Sequence, residues 1–170
     1  LGLLGAALTL LAEVQRSGIL SLQVGNWPAP FGITLVADLF SAIMLVIIAL
    51  LSLMTAVFSL AGIDDHRAAH GYYPMFFALL LGGCGAFLTG DIFNLYVWFE
   101  VMLMASFALM ALGGERAQLE GAIKYFVINM MYSALFLSAT GILYGLSGTL
   151  NMADLSVQLG AISESGLVTT

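Results

Sequence analysis

The run from Ile33 to Ala61, ITLVADLFSAIMLVIIALLSLMTAVFSLA, carries one ionisable side chain, Asp38. It exceeds the roughly 20 predominantly apolar residues that cross a bilayer. Five such segments separate along the chain, at about 1–16, 33–61, 74–90, 92–112 and 120–146, and 160–170 reads as the start of a further one. Each is too long for a barrel strand and lacks its alternation. The expected fold class is therefore all-α, a polytopic transmembrane helix bundle forming a single membrane domain. Composition agrees: 8% of the 170 residues are charged and 61% are hydrophobic, with a mean hydropathy of +1.05. Ordinary soluble domains carry about 25% charged residues, so the lipid bilayer is the expected solvent.

Leu1 opens inside an apolar run without a Met, and the chain ends in GLVTT. It reads as a piece of a longer protein, and its start lacks the basic residues and cleavage site of a secretory signal. The second run is long enough that it is expected to tilt or to project into water. Before it, Trp27 suits a membrane–water interface, and Pro28 and Pro30 keep the stretch extended. Pro74 falls where a helix tolerates proline, in its first turn. Gly82, Ala86 and Gly90, at i, i+4 and i+8, predict a face that a neighbouring helix approaches closely. Loops alternate sides, so those holding Arg67 and Arg116 share one face. The positive-inside rule makes that face cytoplasmic and places Arg16 outside.

One carboxylate breaks the pattern. In 91-DIFNLYVWFEVMLMASFALM-110, Glu100 follows Asp91 by nine residues, or roughly 13 Å along a helix. That is close to the bilayer midplane, where an acidic residue costs roughly 3 kcal/mol to insert. Such residues face a protein interior or a hydrated cavity and mark proton or ion paths. A hydrogen-bonded packing carboxyl is the structural alternative. Desolvation favours the neutral form of a carboxyl and a nearby cation the charged form, so moving a cation switches it.

Lys124 is the candidate cation, one to two turns into the fifth segment and ~9 Å from Glu100 in depth by helical rise. Two readings compete. It lies near a helix end, where a lysine snorkels beside Glu120 at i,i+4, or it faces Glu100. Tyr125, Asn129, Ser133 and Thr140 form a partly polar stripe beyond it, which either lines a hydrated path or bonds backbone carbonyls. Asp38, Asp91 and Glu13 sit near segment ends, and Asp91 and Asn94 suit a helix N-terminus.

Several classes are excluded. A net charge of −6 with 4 Lys+Arg leaves no basic patch for nucleic acid. The lone Cys84 forms no intramolecular disulfide and reads as a small residue at a helix interface. Asp64, Asp65, His66 and His70 fit no metal motif and read as a solvated loop. No phosphate-binding, nucleophile-elbow or redox motif is present, so no cofactor is implied. A membrane-surface enzyme using Asp64, Asp65 and His66, and a purely structural scaffold, remain competing hypotheses.

The stretches GNWPAPFGITLVADLFSA, LTGDIFNLYVWFEVMLMASFALMALGG, EGAIKYFVIN, SALFLSATGILYG and SGTLNMADLS resemble the D subunits of the Mrp-type multisubunit cation/proton antiporters of bacteria and archaea. The wider superfamily includes the proton-pumping, antiporter-like subunits of respiratory complex I (NADH:quinone oxidoreductase) and of membrane-bound hydrogenases. The resemblance implies roughly fourteen helices with two inverted repeats of five, this chain covering helices two to six. It implies that Glu100 and Lys124 are the fifth-helix glutamate and sixth-helix lysine of a proton half-channel. A further family lysine would lie on a broken seventh helix, past Thr170. It also implies a secondary transporter subunit rather than an enzyme, in the cytoplasmic (inner) membrane. There it would assemble with other Mrp subunits and exchange protons for Na⁺ (or K⁺ or Li⁺).

Overall fold

The computed structural model describes the backbone of residues 1–168 and the side chains of residues 1–160. The end of the expected 160–170 segment, residues 169 and 170, lies outside the described residues. Seven helices and one hairpin follow in order: α1 (Gly2–Ser17), β1 (Leu20–Gln23), a 3-10 turn (Val24–Asn26), β2 (Thr34–Ala37), α2 (Leu39–Gly62), α3 (Asp65–Ala69), α4 (Tyr72–Leu88), α5 (Ile92–Ala111), α6 (Arg116–Ser147) and α7 (Met152–Val168). Helices α2, α5 and α6 are long and apolar enough to cross a membrane, and α4 is apolar but shorter.

The second apolar run is split rather than simply long. Its first residues form β2, paired antiparallel to β1 from Leu20↔Ala37 to Gln23↔Thr34. Thr34 and Val36 are β-branched and suit a strand, and Asp38 then starts α2 by accepting a hydrogen bond from Ser41 N at 2.7 Å. An acceptor at the N-cap satisfies one of the free N–H groups of the first turn. The fold is thus helical with a two-stranded hairpin added, an element the all-α expectation lacked.

The helices pack in sequence, α1 on α2, α2 on α4, α4 on α5 and α5 on α6. Their contacts are built on small side chains: Ala42, Ala49 and Ala122 are almost fully buried, while Phe58 and Leu60 are more than three-quarters exposed. Outward apolar side chains match a lipid or protein surround rather than water. The close approach of α4 to α5 runs through Gly82, the first residue of the expected stripe, and through Gly85, which lies outside it. A Cβ on Gly82 would sit 3.1 Å from the Trp98 carbonyl oxygen, and one on Gly85 would enter the Trp98 ring. Gly90 instead lies past the end of α4 and against β2, where a Cβ would fall 2.7 Å from Val36 Cγ2. Helical rotation explains the shift: positions three apart share a face as well as those four apart.

The breaks before α5 and α7 are alike. Asp91 caps α5 by accepting from Asn94 N at 2.8 Å. Asn151 caps α7 through its side-chain oxygen, 3.1 Å from Ala153 N and 3.3 Å from Asp154 N. Ile92 N donates to Leu150 O and Met152 N to Gly90 O, each at 2.9 Å, an antiparallel bridge pairing Asp91 with Asn151. Gly90 N also donates to Thr34 O at 2.8 Å, so both helix starts are tied to the hairpin. Helix α7 starts at Met152, eight residues before the start expected at 160, because MADLS carries too little apolar periodicity to announce a helix.

Candidate functional site

Glu100 lies near the middle of α5, on the side facing α6. Its Oε1 accepts a hydrogen bond from Ser133 Oγ of α6, and Ser133 Oγ also lies 3.4 Å from the Tyr96 hydroxyl. Ser133 is buried at 8% exposure, so this contact is shielded. Helix α6 runs antiparallel to α5, which puts Ser133 level with Glu100. Beside the pair is a half-open cavity of about 270 Å³, lined by Tyr96, Glu100, Ser106, Tyr125, Asn129 and Ser133 among apolar neighbours. That volume is ample for several waters, each needing polar partners. Aromatic contacts close α5 onto α6 at both ends of it. Phe107 and Phe126 lie 5.0 Å apart on one side, and Tyr96 stacks on Phe136 at 6.1 Å on the other.

The sequence-predicted residues divide. Tyr125, Asn129 and Ser133 line the cavity with Glu100, although Asn129 Nδ2 also donates to Tyr125 O at 2.8 Å. Thr140 is buried but donates to Phe136 O at 2.9 Å and takes no part in the cavity lining. Lys124 is not brought to Glu100. Its Nζ donates to Glu120 Oε1 at 2.6 Å, and both side chains are mostly exposed. It lies nine residues before Ser133 on α6, roughly 13 Å along the helix, farther than the sequence suggested. The local i,i+4 partner wins because it needs no reach through apolar packing. Among the described residues the ion pairs are Arg67–Asp64 and Lys124–Glu120.

The loop cluster takes its own form. Asp64 caps α3 by accepting from Arg67 N at 2.7 Å. That backbone N–H, with the Arg67 charge as a lesser contribution, holds the Asp64 carboxyl below its ordinary value. The His66 and His70 rings stack with centroids 4.0 Å apart. No group of three potential metal ligands is found among the described residues.

Tyr96 and Ser106 escaped the sequence reading. Tyr96 precedes Glu100 by four residues, a helical neighbour whose position was legible but whose hydroxyl looked like one more aromatic in an apolar run. At the hairpin end a second polar knot forms: Asn151 Nδ2 donates to Thr34 Oγ1 at 2.9 Å, and Asn94 Nδ2 to Thr89 Oγ1 at 2.8 Å.

The described residues form an apolar helical bundle with a carboxylate at mid-helix, and comparison with known proteins shows what such a bundle resembles. Residues 89–169 match the family model described as NADH:quinone oxidoreductase/Mrp antiporter, transmembrane. The chain is 45% identical over 167 residues to the Na⁺/H⁺ antiporter D-subunit of Alkalihalophilus pseudofirmus, covering 98% of this chain and 34% of that protein. Among the solved structures that share its fold are two membrane complexes. One is the Mrp complex from Dietzia sp., at a TM-score of 0.80 and 30% identity, over 92% of this chain and 32% of the other. The other is the membrane-bound sulfane sulfur reductase, an archaeal respiratory membrane complex, at 0.86 and 33% identity, over 91% and 32%. The chain spans about a third of the length of the curated relatives it matches.

Proposed function

We propose that this chain is part of a membrane subunit of a multisubunit Na⁺/proton antiporter and that it carries protons through a half-channel centred on Glu100. The observation that carries the reading is the mid-helix carboxylate held by Ser133 at the wall of a cavity into which several hydroxyl and amide groups are set. Intramembrane carboxylates in such surroundings are proton or ion sites by default. In this reading Lys124 serves the path from its exposed position, exchanging Glu120 for a more interior partner as Glu100 changes charge. Tyr125, Asn129 and Ser133 line the hydrated route. The partners are other Mrp subunits, the ions are protons and Na⁺ (or K⁺ or Li⁺), and the membrane is the cytoplasmic membrane of a bacterium or archaeon. The positive-inside rule puts the Arg67 and Arg116 loops inside and the hairpin end outside.

The names of the relatives favour this over the alternative of a proton-pumping subunit of a complex I or hydrogenase assembly. The test is Glu100→Gln in the full-length protein, assayed as Na⁺-dependent proton flux in everted vesicles. Coupled transport is lost while membrane insertion is retained; unchanged transport overturns the reading.

A further inference from the structure

Ser133 presents a single hydroxyl hydrogen to two oxygen acceptors, Glu100 Oε1 and the Tyr96 hydroxyl. One hydrogen cannot serve both at full strength, so the three groups have two self-consistent arrangements. With Glu100 ionised, Ser133 donates to the carboxylate and Tyr96 donates to Ser133. With Glu100 protonated, the carboxyl proton points to Ser133, and Ser133 turns to donate to Tyr96. Each arrangement satisfies the buried serine, and neither requires a backbone movement.

The placement gives this pair of arrangements a direction. Tyr96 is one turn nearer than Glu100 to the hairpin end of α5. Its ring is stacked on Phe136 and tilted against Phe93, which fixes the hydroxyl beside Ser133. The cavity extends from Tyr96 past Glu100 to Asn129 and Tyr125, toward the opposite end. Tyr96 therefore lies on the hairpin side of Glu100, Ser133 lies level with it, and the cavity that all three line reaches beyond Glu100 toward the opposite end.

We infer that Tyr96 and Ser133 form a two-hydroxyl proton wire that delivers protons to Glu100 from the hairpin end. This rests on the half-channel reading above and adds a route and a residue to it. In the transfer, a water proton bonds to the Tyr96 oxygen as the tyrosine's own proton leaves for Ser133 Oγ. The serine's proton leaves for Glu100 Oε1, and the water is left one proton short. Three O–H bonds form and three break, with no electron transfer. Reorientation of the two hydroxyls resets the wire once Glu100 releases its proton toward the cavity. The 3.4 Å Tyr96–Ser133 separation is long for a hydroxyl pair, so this link is the slower one.

The test compares Tyr96→Phe, Ser133→Ala, Ser133→Thr and Glu100→Gln in the full-length protein, with proton flux in vesicles and the infrared C=O band of protonated Glu100 as readouts. Tyr96→Phe lowers flux about tenfold, the rate equivalent of one hydrogen bond, while Glu100 remains bonded to Ser133 and its band stays near the wild-type position. Ser133→Ala lowers flux at least as much and shifts the band to higher frequency as the carboxyl loses its partner. Ser133→Thr restores both readouts. Wild-type flux in Tyr96→Phe or Ser133→Ala, with Glu100→Gln inactive, overturns the wire and leaves the half-channel standing. Wild-type flux in Glu100→Gln overturns the half-channel itself.

Discussion

Asn151 donates its side-chain amide to Thr34 Oγ1 at 2.9 Å, joining the start of α7 to the second hairpin strand across 117 residues. The same side chain caps α7 through its oxygen, and Thr34 in turn donates to Gln23 at 2.9 Å. Asn151 is 6% exposed, so each of these groups is satisfied by protein and not by bulk water.

Asn151→Ala removes both bonds at once and leaves the α7 N–H groups uncapped. A cap and a buried hydrogen bond are each worth about 1 kcal/mol. The expected loss is about 1–3 kcal/mol, read as a lower denaturation midpoint of the purified full-length protein in detergent. Asn151→Asp keeps the cap, loses the amide donor to Thr34, and falls between the two.

Gly85→Ala tests the seam between α4 and α5. The added Cβ enters the Trp98 ring, and overpacking of that kind costs about 1–3 kcal/mol. Gly83→Ala is the matched control, since its Cβ meets Ile48 Cδ1 at an ordinary 3.5 Å. Thermal unfolding followed by tryptophan fluorescence separates them, with Gly85→Ala the less stable.

Glu120→Gln removes the partner of Lys124. Exposed i,i+4 pairs contribute about 0.2–0.5 kcal/mol, so stability stays within about 0.5 kcal/mol of the wild type. Lys124→Ala is equally mild for stability but reduces proton flux under the proposed function. Equal flux in Lys124→Ala and wild type removes Lys124 from the path.

The α3 cap has a pH signature. Asp64 is held below the ordinary aspartate value of 3.8 by the N–H of Arg67, so folding of this turn prefers the ionised carboxylate. Its contribution is complete above the ordinary value and is lost as the pH falls through the lower, folded-state value. Hydrogen exchange at Arg67 N–H, followed downward from pH 5 after correction for intrinsic rates, reports loss of protection below the ordinary aspartate range. Asp64→Ala shows no such transition.

Lipid-length apolar runs make helices readable because a spanning segment leaves few alternatives for its backbone. That logic located the stretches of α2, α4, α5 and α6. It failed at Thr34–Ala37, since a hairpin strand and a membrane helix are both apolar there, and only the Asp38 cap separates them. Glu100 stood out on insertion cost alone. Its pairing with Ser133 did not, because that depends on how α5 and α6 are rotated about their axes, which Gly82, Gly85 and the Trp98 ring help to set. Lys124 was misjudged in distance for a related reason: opposite charges on neighbouring helices suggest a pair without fixing which turn each occupies.

The bridge between Asp91 and Asn151 makes the starts of α5 and α7 a shared fulcrum. Tilting either helix drags the other's first turn with it, while displacement grows with distance from that point. Asp91 sits at the pivot and Glu100 roughly 13 Å along the lever. The Glu100–Ser133 hydrogen bond therefore lies about two and a half helical turns from the tie that joins the two helix starts.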